Sequence, residues 1–268
     1  MNNTTPRLPA YFISHGGGPC FFMDWNPPDT WKGLGDWLSG IGADVGVKPK
    51  AVIVVSAHWE APSFTVTAAA QPPLIYDYHG FPPHTYQLQY AAPGAPELAQ
   101  RVSSLLGAAG LAAQQDATRG WDHGVFIPFK LIYPQADVPV LQLSLKAGLN
   151  PAEHLKAGRA LAPLRDEGVL IVGSGYSYHN MRGYGGAGER DAAAFDHWLV
   201  DALTRHDASE RDALLSAWER APSARAAHPR EEHLLPLMVV AGAAGDDAAT
   251  RVFGEKVWGI ATSGFRFG

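Results

Sequence analysis

The sequence predicts an α/β fold: a single domain whose central, largely parallel or mixed sheet carries helices on both faces. Apolar β-branched segments alternate along the chain with segments whose apolar residues recur at helical spacing. This alternation is typical of a sheet covered by helices. No internal repeat or low-complexity linker interrupts the 268 residues. We therefore expect residues 1–268 to form one catalytic domain rather than two.

Short apolar segments predict the strands of this sheet. The segment AVIVVS at residues 51–56 gives the strongest signal, because it is β-branched and apolar on both faces, as in a strand inside a covered sheet. The other predicted strands cover residues 8–14, 63–70, 138–145 and 168–174. The tail at 251–267 is long enough for one or two closing strands.

The segments between the strands predict helices and one long loop. Residues 29–40 have helical spacing with Asp29 or Thr30 as the N-cap, and Pro151 suits the first turn of another helix. The other predicted helices cover residues 96–106, 124–133 and most of 189–243. Residues 71–96 are rich in Pro, Tyr and Gly, and we expect a surface loop there of a length that often serves function.

Composition excludes several classes of protein. The net charge is −5 and the chain has no dense Lys/Arg cluster, which argues against nucleic-acid binding. No apolar run approaches the roughly 20 residues of a membrane-spanning helix, and the polar residues 1–7 do not resemble a secretory signal. The single cysteine, Cys20, excludes an intrachain disulfide framework and a Cys-rich zinc site. We expect a cytoplasmic protein, and a homo-oligomer stays open.

Three of the eleven histidines follow predicted strands. His15 follows residues 8–14, His58 follows 51–56, and His179 comes shortly after 168–174. Ligands of open α/β sheets bind beyond the carboxyl ends of the strands, so we expect these three side chains to meet at one rim. Histidine is suited there to metal binding and proton transfer. The alternative for any one of them is a local turn cap.

The segment AHPREEHLLPL at residues 227–237 offers a fourth candidate. Pro229 suits the first turn of a helix, and Glu231 and Glu232 suit its positive end. On such a helix His228 and His233 lie about 140° apart, so they cannot easily bind one ion together. We expect one of the two to face the site, and His228 could instead be an N-cap.

The other histidines have weaker patterns around them. His123 lies in GWDHG and could orient a substrate, whereas Asp122 could simply cap the following helix. Surface positions are expected for three histidines in predicted helices: His154, His197 and His206. His79 and His84 lie in the loop at 71–96, where substrate contact is open but no pattern supports it.

Five motifs together resemble a known family. They are SHGGGP at 14–19, SAHW at 56–59, GWDHG at 120–124, the Tyr178-His179-Asn180 turn and HPREEHLLPL at 228–237. Their order is similar to that of the class III extradiol ring-cleavage dioxygenases, in the branch that contains DOPA 4,5-dioxygenase. The resemblance covers nearly the whole chain.

The resemblance implies roles for individual residues. It implies metal ligation by His15, His58 and His233, acid/base catalysis by His179, and substrate contact by His123 and Tyr178. Three histidines replace the usual two histidines and one carboxylate, which leaves the metal open. We expect Fe(II) for activity, although Zn(II) also suits three histidines and can occupy such a site in purified protein.

The implied reaction is the extradiol opening of a catecholic ring by O2 to give a muconic semialdehyde. The partners are then a small aromatic substrate, DOPA-like or a related catechol, and O2. One alternative is a zinc-dependent hydrolase that uses a metal-bound water. Another is a metal-dependent binding protein for a small aromatic molecule, without turnover.

Overall fold

A computed structural model describes residues 6–268 and shows one eight-stranded mixed sheet. Residues 1–5 lie outside the described part. The prediction that residues 1–7 do not form a secretory signal therefore concerns mostly residues that the structure does not describe. The strands are β1 (Ala10–Ser14), β2 (Ala51–Ala61), β3 (Phe64–Thr67), β4 (Ala113–Asp116), β5 (Val140–Lys146), β6 (Val169–Gly175), β7 (Ala249–Val257) and β8 (Ile260–Phe267).

The sheet has the order β4-β3-β5-β2-β6-β1-β8-β7. Its centre is parallel, since β2 pairs with β5 and β6, and β6 pairs with β1, all in parallel. Antiparallel pairing occurs toward both edges of the sheet. On one side β3 pairs with β5, and on the other β8 pairs with both β1 and β7. The predicted α/β fold is confirmed. The edge strand β4 was not predicted, because its sequence AQQD has no apolar signal and its side chains are largely exposed.

Nine α-helices lie in the described part of the chain, besides four short 3-10 turns. They are α1 (Lys32–Val45), α2 (Pro96–Ala108), α3 (His123–Ile132), α4 (Pro151–Leu161), α5 (Pro163–Asp166), α6 (Glu189–Thr204), α7 (Ala208–Ser216), α8 (Ala224–Ala227) and α9 (Leu235–Ala244). The predicted N-cap of α1 is wrong: Trp31 holds that position, without a side-chain cap. Asp29 and Thr30 instead belong to the preceding turn, where the Thr30 hydroxyl donates to the Pro27 carbonyl at 2.6 Å.

Two hydrophobic cores cover the two faces of the sheet. Alternate residues of β2 divide between them: Val52 and Val54 pack in one core, Ile53 and Val55 in the other. The first core is covered by α1 and α3, and the second includes α9, which is buried along its whole length. Helices on both faces explain why the central strands are apolar throughout.

The long segment at residues 71–96 is a loop, as predicted, apart from a short 3-10 turn at Pro83–Gln87 and isolated bridges. It lies close to the end of β2, since Asp77 in this loop contacts His58. Within residues 6–268, no helix combines the length and the apolar character needed to cross a membrane.

Candidate metal centre and active site

The parallel centre of the sheet brings His15 and His58 together. β1 ends at Ser14, directly before His15, whose amide donates to the carbonyl of Gly175 at the end of β6 (3.2 Å). His58 does not follow its strand as predicted, because β2 continues to Ala61. The register of β2 against β5 is irregular between Val55 and Glu60. An irregularity of this kind re-aims side chains, and His58 lies within it.

His233 lies in a turn before α9, not in the second turn of a helix that starts near Pro229. The amides of Leu234 and Leu235 both donate to the Glu231 carbonyl, which makes this a single turn. The angular argument that separates His228 from His233 on a continuous helix therefore does not apply. The His233 carbonyl accepts from the amide of Tyr176 at 2.9 Å, which holds the turn against the end of β6.

His228 is not part of the site. It is fully buried at the end of α8, and its Nε2 lies 3.1 Å from the carbonyl of Ser177. Its ring packs beside Phe195 and Trp218, with ring centroids 5.2 Å and 6.0 Å away. The N-cap alternative for His228 is wrong, since this residue ends a helix. Of the two histidines in the segment, only His233 faces the site.

The three expected ligands converge through their Nε2 atoms. The Nε2 atom of His58 lies 3.1 Å from that of His15 and 3.3 Å from that of His233. One ring nitrogen from each of the three histidines lies within 4.8 Å of the other two. A metal ion about 2.1 Å from two imidazole nitrogens holds them roughly 3.0 Å apart at a right angle and roughly 3.4 Å apart at the tetrahedral angle. The donor set therefore fits one metal ion.

The outward Nδ1 atoms of His15 and His233 have hydrogen-bond partners. Nδ1 of His15 lies 3.2 Å from the hydroxyl of Ser174, which itself donates to the carbonyl of Gly124. Nδ1 of His233 lies 2.9 Å from a carboxylate oxygen of Glu232. With Nδ1–H donating outward, Nε2 keeps its lone pair for a metal.

The environment of the three histidines favours the neutral imidazoles that metals require. Burial, followed by the neighbouring imidazoles, holds the pKa of His15 and of His233 well below the ordinary value. The pKa of His58 is lowered to about 3 by burial and by the charge of His123, against the opposing effect of Asp77. Neutral histidines bind metal without first losing a proton at neutral pH.

His179 lies beside this centre, on the turn that follows β6. Its ring stacks on that of His233, with centroids 3.3 Å apart and planes 15° from parallel. Its Nδ1 lies 3.2 Å from the same Glu232 oxygen that His233 contacts. Burial has the largest single effect on the Glu232 carboxyl and raises its pKa, but hydrogen bonds and the charges of His179 and Arg230 together bring the pKa below its ordinary value. One carboxylate thus orients two histidines.

His123 lies on the opposite side, at the start of α3. Its amide and its Nδ1 both contact one carboxylate oxygen of Asp77, at 2.9 Å and 2.8 Å. Its ring centroid is 4.0 Å from that of His58, and Asp77 also faces the Nδ1 of His58 at 3.8 Å. Burial has the largest single effect on Asp77 and raises its pKa, but the hydrogen bonds from His123 and the charges of His123 and His58 together bring the pKa below its ordinary value. The loop at 71–96 thereby supplies a residue that sequence reasoning missed.

Asp122 does not cap α3, although it occupies the N-cap position. Its buried carboxylate accepts from the hydroxyl of Ser56 at 2.7 Å and from the side-chain amide of Gln142. Burial, followed by the charge of Asp77, raises the pKa of this carboxyl. The capping alternative is wrong, because the side chain turns into the sheet instead of toward its own helix.

A cavity of about 400 Å³ opens over the histidines. Its lining consists of His15, Gly16, Gly17, Gly18, Trp25, Trp31, His58, Phe81, His123, Tyr176, His179, Met181, Tyr184, His233 and Trp258. Gly16 in this lining has φ +84°, and a Cβ there would lie 2.5 Å from the Cys20 sulfur, so a larger residue does not fit. All five histidines of the predicted site line this one cavity.

Tyr178 is a correction, because it does not line the cavity. Its ring packs in the core on the other face of the sheet, and its hydroxyl lies against Gly183 and Gly188. Tyr176 lines the cavity instead. β6 ends at Gly175, so the side-chain alternation of the strand does not extend to these two tyrosines. The aromatic residues of the wall come from distant segments, and no local signal marks them.

The remaining histidines lie outside the cavity. His197 and His206 are exposed, as predicted, and His79 and His84 are also exposed. His154 is a correction, since it is fully buried between β5 and α4. The polar neighbours that suggested a surface position are turned away, and both ring nitrogens of His154 have backbone partners.

Comparison with known proteins identifies the family. Residues 9–265 match the family described as the catalytic LigB subunit of aromatic ring-opening dioxygenase. The chain belongs to this family. It is 44% identical over 244 residues to the 4,5-DOPA dioxygenase extradiol of Beta vulgaris, covering 89% of this chain and 88% of that protein.

Two matches from Escherichia coli K12, one in sequence and one in structure, extend the comparison. A protein named 4,5-DOPA dioxygenase extradiol is 36% identical over 244 residues, covering 90% of this chain and 86% of its own. The crystal structure of an uncharacterized protein aligns with a TM-score of 0.76 at 31% identity, covering 98% of this chain and 100% of that one. The expected fold and the expected ring-cleavage dioxygenase family are confirmed. The zinc-hydrolase alternative is not favoured.

Proposed function

We propose that this protein is an Fe(II)-dependent extradiol dioxygenase of a catecholic substrate, and that residues 1–268 form its single catalytic domain. His15, His58 and His233 would hold the metal ion. The observation that carries the proposal is the convergence of three Nε2 atoms on the floor of an aromatic cavity, where outward hydrogen bonds hold the rings of His15 and His233. The names of the relatives, which specify extradiol cleavage of DOPA, support the same reaction class.

Fe(II) at the three histidines would supply Lewis-acid activation of the catechol hydroxyls and the redox chemistry of O2. The chain contributes three neutral ligands, so the charge of the ion is not cancelled by the protein. That charge favours deprotonation of a nearby hydroxyl.

His179 is proposed to accept and return the proton. Its Nδ1 faces Glu232 at 3.2 Å, so the Nδ1–H tautomer leaves Nε2 with a lone pair. Because His179 lines the cavity beside His233, that nitrogen can take a proton from a substrate hydroxyl. An imidazole can both accept and donate a proton, so it suits both directions of transfer.

His123 is proposed to orient the substrate. Two hydrogen bonds to Asp77 hold its backbone and ring in one position. The aromatic walls exclude water from the same space. The expected product is a muconic semialdehyde.

Anaerobic reconstitution with Fe(II), followed by oxygen uptake and absorbance measurements with a panel of catechols, tests this proposal. We expect oxygen uptake together with a new visible or near-ultraviolet band, and no uptake by the protein loaded with Zn(II). The absence of uptake with every catechol tried, in protein shown to hold one iron ion, would refute the proposed function.

A further inference from the structure

Backbone pairing leaves the expected ligand His58 without a neighbour in the sheet. The pairs of β2 with β6 run as far as Ser56, and its pairs with β5 are interrupted between Val55 and Glu60, so in the described part of the chain no strand residue pairs with His58. The amide of His58 donates instead to the hydroxyl oxygen of Ser56, at 3.2 Å. The Ser56 side chain therefore supports the main chain at this ligand.

The hydroxyl of Ser56 is held in turn by Asp122. It donates to Oδ1 of Asp122 at 2.7 Å, and both residues are fully buried. A serine hydroxyl has one hydrogen and two lone pairs. Because the hydrogen is directed to the carboxylate, the oxygen is left to accept from the His58 amide. Asp122, Ser56 and His58 thus form one directed chain of hydrogen bonds.

The other oxygen of Asp122 is fixed from the opposite side. Oδ2 accepts from the side-chain amide of Gln142 in β5 and from the guanidinium of Arg119, which lies 3.3 Å away. That guanidinium packs over Trp59, with Cζ of Arg119 4.5 Å from the ring centroid. All three donors suit the ionised carboxylate, which accepts hydrogen bonds and cannot donate them. Together they restrict Asp122 to one orientation.

Little free space surrounds this chain of hydrogen bonds. Gly124, in the first turn of α3, packs so closely that an added Cβ would lie 3.2 Å from Oδ1 of Asp122. His123 stands between Asp122 and Gly124 in the sequence, and its ring centroid is 4.0 Å from that of His58. Because a close-packed interior transmits strain, a shift of the Asp122 carboxylate would be passed on to His58.

We propose, building on the metal centre proposed above, that Asp122 is a positioning residue for the metal ligand His58. Its carboxylate fixes Ser56, whose hydroxyl oxygen holds the His58 amide. The ring of His58 is thereby kept where its Nε2 meets those of His15 and His233. Asp122 touches neither the metal position nor the cavity, and it acts through Ser56 alone.

Asp122→Asn tests the role of the carboxylate. An asparagine offers one acceptor oxygen where an aspartate offers two, so either Ser56 or the donors on the other side lose their acceptor. We expect the affinity of the folded protein for Co(II), measured by competition with a chelator, to fall about tenfold or more. The visible absorption of bound Co(II), which depends on coordination geometry, should change as well. Wild-type affinity together with a wild-type spectrum would overturn the proposal.

Ser56→Ala tests the path from Asp122 to His58. It removes the hydroxyl that links the two, and it should lower Co(II) affinity by a similar factor. The double variant with Asp122→Asn should bind Co(II) about as weakly as the weaker single variant, because both changes break one chain of contacts. Losses that multiply would refute the path through Ser56. Since Ser56→Ala keeps the carboxylate, it carries the test by itself if Asp122→Asn does not fold.

A buried carboxylate elsewhere separates positioning from stability. Asp196 resembles Asp122 in its contacts, since it accepts from the hydroxyl of Ser263 and lies 2.9 Å from Arg251, but it lies outside the cavity lining. Asp196→Asn should lower the free energy of unfolding in urea and leave the Co(II) affinity and spectrum as in the wild type. An equal loss of affinity in this control would mean that destabilisation alone weakens metal binding, and it would overturn the proposal.

Co(II) binding is measured without substrate or O2, so its outcome is distinguishable from that of the proposed function. Weaker binding in Asp122→Asn and Ser56→Ala, without oxygen uptake by the wild-type Fe(II) protein, would refute the proposed dioxygenation and leave the positioning role standing. Oxygen uptake by the wild type, with wild-type Co(II) affinity and spectra in both variants, would do the reverse. A wild-type protein that binds no metal would refute both.

Discussion

At the scale of single residues, the direction of each histidine ring depends on the partner of its Nδ1 atom. Glu232 is central, because one of its oxygens lies 2.9 Å from Nδ1 of His233 and 3.2 Å from Nδ1 of His179. A carboxylate in this position raises ligand basicity and restricts the ring to one orientation. Glu232 therefore couples the metal ligand to the proposed proton carrier.

Replacing Glu232 tests this coupling. Glu232→Gln removes the negative charge and leaves the shape, and we expect metal affinity to fall about 10–100-fold, as for other residues that orient metal ligands. Competition with a metal chelator, followed by metal analysis, measures it. Glu231→Gln is the matched control, because Glu231 forms an ion pair with Arg225 and not with a histidine. The metal affinity of this variant should equal that of the wild type.

Removing His179 tests its role in proton transfer. His179→Ala should retain iron, because His179 is not among the three converging ligands, while kcat falls about 10²–10⁴-fold, the usual contribution of a general acid or base. Iron content and oxygen uptake are measured on the same sample. Unchanged turnover would remove His179 from the mechanism, and lost iron would show that it supports His233.

At the scale of elements, α3 packs unusually close to β2. A Cβ built on Gly124 would lie 2.7 Å from the Ser56 hydroxyl and 3.1 Å from Cδ2 of His58. The same residue's carbonyl accepts from the hydroxyl of Ser174, which contacts His15. Gly124 thus lets one helix approach both β2, which bears His58, and β6, whose Ser174 contacts His15.

A methyl group at Gly124 should push His58 out of position. We expect Gly124→Ala to weaken metal binding about tenfold or more and to lower the free energy of unfolding by about 1–3 kcal/mol, as overpacking does. Gly107→Ala in α2 is the control, since nothing lies within 4 Å of its added Cβ; it should be neutral or stabilise by about 0.5–1 kcal/mol. Denaturant unfolding and chelator competition measure the two effects.

His154 joins β5 to α4 through its neutral ring. Its Nε2 accepts from the Lys146 amide at 3.2 Å, and its Nδ1 lies 2.8 Å from the Asn150 carbonyl, to which it donates. Burial lowers the pKa of His154 to about 4, although the Asn150 bond opposes the shift. A proton on Nε2 would break the bond from Lys146.

The lowered pKa of His154 makes the stability of the fold dependent on pH. The unfolded chain binds a proton near pH 6.5 and the folded chain only near pH 4, so the contribution of His154 is complete above about pH 6.5 and is lost as pH falls toward about 4. Urea unfolding at about pH 7 and about pH 5 should show a smaller acid loss for His154→Gln than for the wild type. His197→Gln, at an exposed position, should lose as much unfolding free energy between the two pH values as the wild type. The same loss in His154→Gln as in the wild type would contradict the role given to His154.

At the scale of the whole molecule, Arg165 ties together the ends of several elements. Its buried guanidinium donates to the carbonyls of Leu8, Ala243 and Phe267, at 2.7, 3.0 and 3.3 Å. It also lies 2.6 Å from a carboxylate oxygen of Asp247. These contacts join the segments before β1, after α9 and at the end of β8.

Loss of Arg165 should destabilise the whole fold. Arg165→Ala leaves three carbonyls and a carboxylate without their donor, and we expect the free energy of unfolding to fall by about 3–5 kcal/mol. Arg159→Ala removes an ion pair in which Arg159 is 52% exposed, and should cost about 0–1 kcal/mol. If denaturant unfolding shows the same loss of unfolding free energy for both variants, burial of Arg165 adds nothing to stability.

The sequence by itself determined the alternation of strands and helices apart from β4, and it placed His15 directly after a strand, because periodicity and β-branching are local properties. Its motifs also named His15, His58, His123, His179 and His233, all of which line one cavity. The structure then showed that β6 pairs in parallel with both β1 and β2.

Only the tertiary structure decided which side chains complete the site. Asp77 and Glu232 acquire their roles from contacts across distant segments, and Tyr176 replaces Tyr178 because β6 ends at Gly175. The irregular register around His58 depends on pairing with β5, and burial of His154 depends on packing between two elements. Such features arise from long-range contacts, which leave no periodic trace in the chain.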